Sequence, residues 1–466
     1  MLLILAAAAA VRGGAVWLLS EQVTLDRDAY LAIAENLAAG RGYSSVAGGE
    51  PTAYRPPLYP VVLAAFVRAA GPAVGVAALN VIAGVLAVWI TFRLGRRLGL
   101  EGAAALAALL VAFDPLLVQY TAQPMTEVLS ACLVAAFAWA VASASSVESR
   151  ESRAGAERRG NAVGQTAAGT PAREPAASAW RATMAGLLFG MAALCRPTTW
   201  LAGALLATWW GARVWRAEGR RSLWRPAVGC LAGAAIVIGP WTVRNWIAFG
   251  QPIMTTTHGG YTLLLGNNPV FYREVVEQPW GTTWDGASLE RWNASLESDL
   301  RREDPLVRGE AARDRWMYAR AWRHIRDEPG LCLRACWLRF RRFWNVAPLE
   351  QSAGLIEQAW RRVCLAIGWA GGMRSAGAIA SAAEWTVATF YTAITAALLA
   401  GLVRLRRGEW REWSPLVVIV AAFCLVHLVY WTNTRMRAPV VPLVALLAAR
   451  GFAGFHIPRR RSSNCS

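Results

Sequence analysis

Leu25-Asp26-Arg27-Asp28-Ala29-Tyr30 is the stretch on which the fold reading turns. It follows an apolar run over residues 2–20, so two carboxylates stand where a hydrocarbon-length segment ends. Beyond them, apolar residues at 30, 31, 33, 34, 37 and 38 lie on one face of a helix. Such a helix, polar on its other face, rests on a membrane surface rather than crossing it. A second surface helix is expected after Pro51-Thr52-Ala53-Tyr54-Arg55-Pro56-Pro57-Leu58-Tyr59-Pro60. Acids at this junction suggest a catalytic base outside the cytoplasm.

The rest of the chain agrees with a membrane setting. It has 466 residues, 55% apolar and only 17% charged, against about 25% charged in soluble domains. This composition excludes extended disorder and a soluble multidomain enzyme. All 48 basic residues are Arg, and the net charge is +18. In a soluble protein that surplus would suggest nucleic acid; here it is a matter of topology, and no nucleic-acid partner is expected. The eight Cys are scattered, and only Cys332 and Cys336 lie close together. Without a nearby His they do not make a zinc site, and whether they pair is open.

Ten apolar runs approach the length of about 20 residues that crosses a bilayer: 2–20, 73–92, 102–120, 124–143, 182–195, 197–213, 226–247, 379–403, 413–432 and 438–456. The first reads as an uncleaved signal anchor. The fifth and sixth are divided at Cys195-Arg196-Pro197, where proline stops a continuous helix. The connections 93–101, 144–181, 213–225, 404–412 and 456–461 hold 21 Arg, against 6 in 21–72, 121–123 and 433–437. The positive-inside rule places the first set, and both termini, in the cytoplasm. The fold class is thus an all-α polytopic membrane protein of about ten transmembrane helices.

Three parts are expected. Residues 1–247 form an N-terminal bundle with the first external loop, 21–72, and a disordered cytoplasmic linker over 144–180. Residues 248–350 hold 14 Arg and 13 acids and many aromatics, a foldable extracytoplasmic segment. Its Trp280, Trp284, Trp292, Trp316 and Trp322 suit packing on the bilayer, with sugar stacking the alternative. Residues 351–466 supply the C-terminal spans, with 354–373 read as an interfacial or re-entrant helix because of Arg361 and Arg362.

Asp26-x-x-x-Tyr30, Tyr54-Arg55-Pro56-Pro57, Pro124-Met125-Thr126-Glu127 and Leu194-Cys195-Arg196-Pro197 occur in order along the spans. They are followed by Pro240-Trp241-Thr242-Val243-Arg244-Asn245, Gly259-Gly260-Tyr261, Gly266-Asn267-Asn268-Pro269 and Thr434-Arg435-Met436-Arg437-Ala438-Pro439. This set resembles the GT-C superfamily of membrane glycosyltransferases, in the bacterial branch related to protein O-mannosyltransferases and aminoarabinose transferases. The resemblance implies a GT-C-like bundle with interfacial helices in its first external loop. It implies transfer of a sugar, with inversion, from a polyprenyl-phosphate carrier to an extracytoplasmic glycolipid, glycan or protein, at the inner membrane. It also implies that an acid of the first external loop is the general base. Distance to Tyr30 assigns that role to Asp26, with Asp28 as the second candidate.

Such chemistry needs a carboxylate to deprotonate the acceptor and guanidinium groups to hold the leaving phosphate. No cofactor is required, no metal ligands are assigned, and a divalent cation is compatible. The plainer readings stand beside these. Asp26 or Asp28 suits a helix cap, and Tyr30 an anchor among headgroups. Arg55 suits carrier phosphate or lipid headgroups equally. Glu127 suits a helix N-terminus or an intramembrane functional site. Arg196 suits phosphate contact or pairing with Glu127. Arg244 suits snorkelling; gathered with Arg196, Arg435 and Arg437 on the face poor in Arg, it also favours an anionic ligand. His258 is a structural residue or a ligand, and Asn267 belongs to a turn or borders the cavity. The competing reading of the whole chain is a transporter or flippase of lipid-linked saccharides, which calls for charges deep within several spans; few are present.

Overall fold

The computed structural model describes residues 1–143, 174–218, 224–304, 307–347 and 349–453, and every regular element among them is helical. The first apolar run is α1 (Leu2–Leu18). Two short helices follow, α2 (Tyr30–Ala38) and α3 (Leu58–Ala70), packed on each other. The next helices are α4 (Pro72–Arg97), α5 (Ala103–Ala112), α6 (Pro115–Thr121) and α7 (Glu127–Ser143). Then come α8 (Glu174–Cys195), α9 (Thr199–Glu218) and α10 (Trp224–Phe249). The polar region contributes α11 (Gly259–Gly266), the single turn α12 (Pro269–Phe271), α13 (Gly286–Glu303), α14 (Glu310–Asp327) and α15 (Pro329–Phe343). The chain continues through α16 (Leu349–Ala366), α17 (Ala376–Val403), α18 (Trp410–Val429) and α19 (Val441–Ala453).

Among the described residues, five helices are long and apolar enough to cross a membrane, or six if α5 and α6 count as one bent span. The expected ten is therefore not reached on length and hydropathy. The 17 residues of α1 reach about 26 Å, short of a hydrocarbon core of about 30 Å. The run 102–120 is not one helix: α5 and α6 meet at 46°. Asp114 caps α6 by accepting from the Leu117 amide at 3.0 Å, and Pro115 occupies the first helical position. Arg12, fully buried in α1, donates to the freed carbonyls of Ala112 (3.0 Å) and Val111 (3.1 Å) at the end of α5. Of the linker expected over 144–180, residues 144–173 lie outside the described residues, and Glu174 onward is already α8.

Close helix crossings rest on small residues, as membrane packing requires. A Cβ on Gly186 would stand 2.0 Å from the Cys230 carbonyl oxygen, so α8 and α10 meet backbone to backbone. The same holds between α17 and α19, where a Cβ on Gly451 would meet the Ala397 carbonyl oxygen at 2.0 Å. The polar helices have their own core, in which Phe271, Trp284, Trp292 and Trp316 are buried. Three of the tryptophans expected at the bilayer thus hold this core; Trp280 and Trp322 are the exposed ones. Cys332 and Cys336, within α15, are free thiols.

Candidate active site

Local backbone chemistry shapes the first loop. Asp26 accepts through one oxygen from the Ala32 amide at 2.8 Å, which caps α2, while its other oxygen is buried without a partner. Ala29, between the acids and α2, has φ 60° and ψ 16°. This left-handed conformation costs a residue with a side chain about 1–2 kcal/mol. It turns the chain so that Asp28 faces away from the cap and toward Arg55. Arg55 donates to the Asp28 carboxylate at 2.7 Å and to the Asp28 carbonyl at 2.8 Å. Its guanidinium lies 5.5 Å from the Tyr30 ring and 5.1 Å from the Tyr54 ring.

A second carboxylate comes from the bundle. Asn80 of α4 donates to the carbonyls of Thr121 (3.2 Å) and Gln123 (2.7 Å), fixing the link between α6 and α7. Glu127 begins α7 there and is 1% exposed. Arg196, at the α8–α9 break, donates to it through Nη2 at 2.9 Å, while its Nη1 is buried without a partner. Arg435 joins the two acids: it lies 3.4 Å from Asp28 and 3.8 Å from Glu127. Three guanidinium groups thus share two carboxylates, a local balance of +1. Burial opposes ionisation of Asp28, but Arg55 and Arg435 outweigh it and hold its pKa below the usual carboxylate value.

Arg435 also lines a cavity of about 390 Å³ with Tyr120, Trp284, Trp431, Asn433 and Thr434. Its contacts to the acids are long, and its Nε is buried without a hydrogen-bond partner. Both of its terminal nitrogens lie 3.4 Å from Asp28 Oδ2, and the residue borders an open volume.

The remaining expected residues do other work. Arg437 is buried and points elsewhere: it donates to the Asn345 carbonyl at 3.2 Å and lies 4.3 Å from the Tyr391 ring. Carbonyls and an aromatic face engage it, and its Nη2 is buried without a hydrogen-bond partner. Arg244 donates to the carbonyls of Thr52 (2.9 Å) and Tyr43 (3.2 Å) and so braces the first loop. Asn267 is fully buried, donating to Leu263 and Val429 carbonyls, both at 2.8 Å, and accepting from Arg339 at 3.1 Å. It ties α11 to α18 and α15. His258 stacks on Tyr261 (5.3 Å) and meets the Tyr54 ring edge-on (4.3 Å). Burial, reinforced by Arg55, lowers its pKa to about 3, so it is neutral at pH 7. Gly259 and Gly260 permit close approach more than a turn, since a Cβ on Gly260 would meet the Asp314 carbonyl oxygen at 2.2 Å.

Sequence reading missed Tyr120, Asp114 and Glu310. Phe113-Asp114-Pro115 carries a helix-start signal, acid then proline, which would have placed the break and brought Tyr120 to the cavity. Glu310 accepts from Thr52 (2.5 Å), the Ala53 amide (2.8 Å) and Thr257 (3.0 Å), tying the first loop to α14. No local signal marks it, because its partners are remote in sequence. Among the described residues, no group of three His, Cys, Asp or Glu stands ready to hold a metal ion.

Residues 54–153 match the family model described as dolichyl-phosphate-mannose-protein mannosyltransferase. No curated protein sequence matches the chain. Among solved structures, the oligosaccharyltransferase AglB from Archaeoglobus fulgidus, in complex with an inhibitory peptide and a dolichol-phosphate, is similar at 15% identity and a TM-score of 0.48, covering 97% of this chain and 50% of that one. The apo form of the Archaeoglobus fulgidus enzyme gives 16% identity and a TM-score of 0.49, covering 96% and 50%. ArnT from Cupriavidus metallidurans, bound to undecaprenyl phosphate, gives 14% identity and a TM-score of 0.41, covering 97% and 77%. The chain spans half the length of the archaeal oligosaccharyltransferase it resembles. The family match begins at Tyr54, beside Arg55, and runs through Glu127.

Proposed function

We propose that the protein transfers a sugar, with inversion, from a polyprenyl-phosphate carrier to an acceptor on the extracytoplasmic face of the inner membrane. The observation that carries this reading is Arg435, held by Asp28 and Glu127 only at 3.4 and 3.8 Å, beside the 390 Å³ cavity. A polyprenyl-phosphate sugar is a phosphodiester with one negative charge, and the Asp28–Glu127 ring with its three Arg offers a balance of +1. Asp28 and Glu127 hold the guanidinium groups in place, and Arg435 binds the phosphate and takes up its charge as the glycosidic bond breaks. Transfer breaks the bond between the anomeric carbon and the phosphate oxygen and forms one to the acceptor oxygen. The electron pair leaves on the carrier phosphate, and the acceptor proton goes to a carboxylate.

Asp26 is that base. Its capped oxygen fixes the side chain and its second oxygen has no protein partner, which suits proton acceptance. Asp28 has both oxygens engaged by arginines. The Arg-poor connections support a position outside for this end of the bundle, with both termini in the cytoplasm.

The test is sugar release from a panel of polyprenyl-phosphate monosaccharides by the protein in nanodiscs with envelope-derived acceptors. Wild type should turn over one donor. Asp26→Asn should lose at least about 100-fold in kcat while still binding carrier. Undiminished kcat in Asp26→Asn removes the base assignment; no turnover of any donor by the wild type removes the transferase reading.

A further inference from the structure

A second cavity, of about 430 Å³, lies between α13, α14 and the start of α11. It adjoins the proposed active site through Tyr54, which lines the cavity with one part of its ring environment and faces Arg55 with another. Tyr261 forms the same wall, with the His258 ring between the two tyrosines. The opposite wall is polar. Glu297 is paired with Arg313, and Glu310 is committed to the first loop and Thr257.

Two groups on that wall keep unused capacity. Asp314 accepts from the Gly260 amide at 2.6 Å through Oδ1, leaving Oδ2. Asn293 accepts from the Tyr261 hydroxyl at 3.0 Å through Oδ1, leaving its NH₂. One acceptor and one donor side by side suit neighbouring hydroxyls, which give one hydrogen bond and take another. The tyrosine faces suit the C–H side of a sugar ring. Three carboxylates against one Arg give the lining a negative balance, opposite to that of the Asp28 ring. An anionic ligand is therefore disfavoured here.

We propose that this cavity receives the acceptor through a neutral sugar residue, bound by Asp314, Asn293 and the Tyr54–Tyr261 wall. The proposal rests on the glycosyl-transfer reading and adds the acceptor class to it. Charge then divides the two substrates: carrier phosphate at the positive ring, neutral carbohydrate at the negative cavity.

The experiment is ligand-observed saturation-transfer NMR on the full chain in nanodiscs, with neutral methyl hexosides, a methyl hexuronate and a neutral Ser-containing peptide as probes. At least one neutral hexoside should bind, and the hexuronate should not. Asp314→Asn keeps the acceptor for Gly260 but loses the carboxylate, and should weaken hexoside binding at least tenfold. Asn293→Asp keeps the acceptor for Tyr261 but loses the NH₂ donor, and should do the same. No hexoside binding by the wild type, equal binding by both variants, or binding of the peptide or hexuronate instead would overturn the proposal. Donor-sugar release, measured in parallel, tests the transferase reading separately: hexoside binding that responds to both variants without release supports the pocket and counts against that reading.

Discussion

Arg435 and Arg437 stand two residues apart in the same 3₁₀ turn and meet opposite surroundings. Arg437 is 3% exposed, donates to main-chain carbonyls and lies against Tyr391. Arg435 faces two carboxylates at long range and an open cavity. The wider molecule repeats the contrast. Arg12 and Arg339 are buried against carbonyls at helix ends, Arg339 reaching Leu428 at 2.7 Å and Gly266. Arg55 and Arg196 face carboxylates. A guanidinium whose hydrogen bonds go to main-chain carbonyls serves as a stitch. One held by carboxylates beside a cavity can exchange part of that contact for an incoming anion.

The largest effect expected from this contrast is catalytic. Asp28→Asn removes the charge that positions Arg55 and Arg435, and should cut kcat/KM for donor by about 10²–10³-fold, mostly through transition-state charge stabilisation. A loss below tenfold would erase the distinction between the two classes of arginine. Next comes stability. Arg339→Met leaves the Gly266 and Leu428 carbonyls without their donor and should cost about 2–5 kcal/mol of folding stability. That loss would appear as a lower detergent-unfolding midpoint, whereas Arg435→Met should change the same midpoint little.

These two substitutions also separate what could be read from sequence. Helix order, the short helices α2 and α3, and the acids before Tyr30 were legible because they follow from hydropathy, period and turn chemistry. The pairing of Arg196 with Glu127 was legible as one of two options. The fates of Arg437, Arg244 and Asn267 were not, since partners such as Asn345, Tyr43 and Val429 are remote along the chain and reach them only by tertiary packing. The same holds for Arg12, whose role appears only once the α5–α6 break exposes carbonyls opposite it.

A smaller effect sharpens the comparison through pH. The pKa of Asp28 is lowered on folding, so its contribution to stability is complete above its unfolded value, about 3.9, and fades as pH falls through the lower folded value. Asp314 runs the other way: burial raises its pKa to about 6, against the Gly260 hydrogen bond. Its ionisation therefore costs stability as pH rises from about 4 to about 6. Unfolding midpoints measured across pH 3–8 should show the upper slope removed in Asp314→Asn and the acid slope reduced in Asp28→Asn. The smallest effect is local: Ala29→Gly should relieve the left-handed strain and add about 1 kcal/mol of stability, read as a higher midpoint with the donor KM unchanged.

The most direct test is undecaprenyl phosphate affinity, measured on wild type, Arg435→Ala and Arg437→Ala in nanodiscs. The expected result is a loss of at least tenfold in Arg435→Ala and an affinity within twofold of wild type in Arg437→Ala, which instead unfolds at lower denaturant. Equal affinity in wild type and Arg435→Ala, or a loss confined to Arg437→Ala, would contradict the assignment of Arg435 to the carrier phosphate.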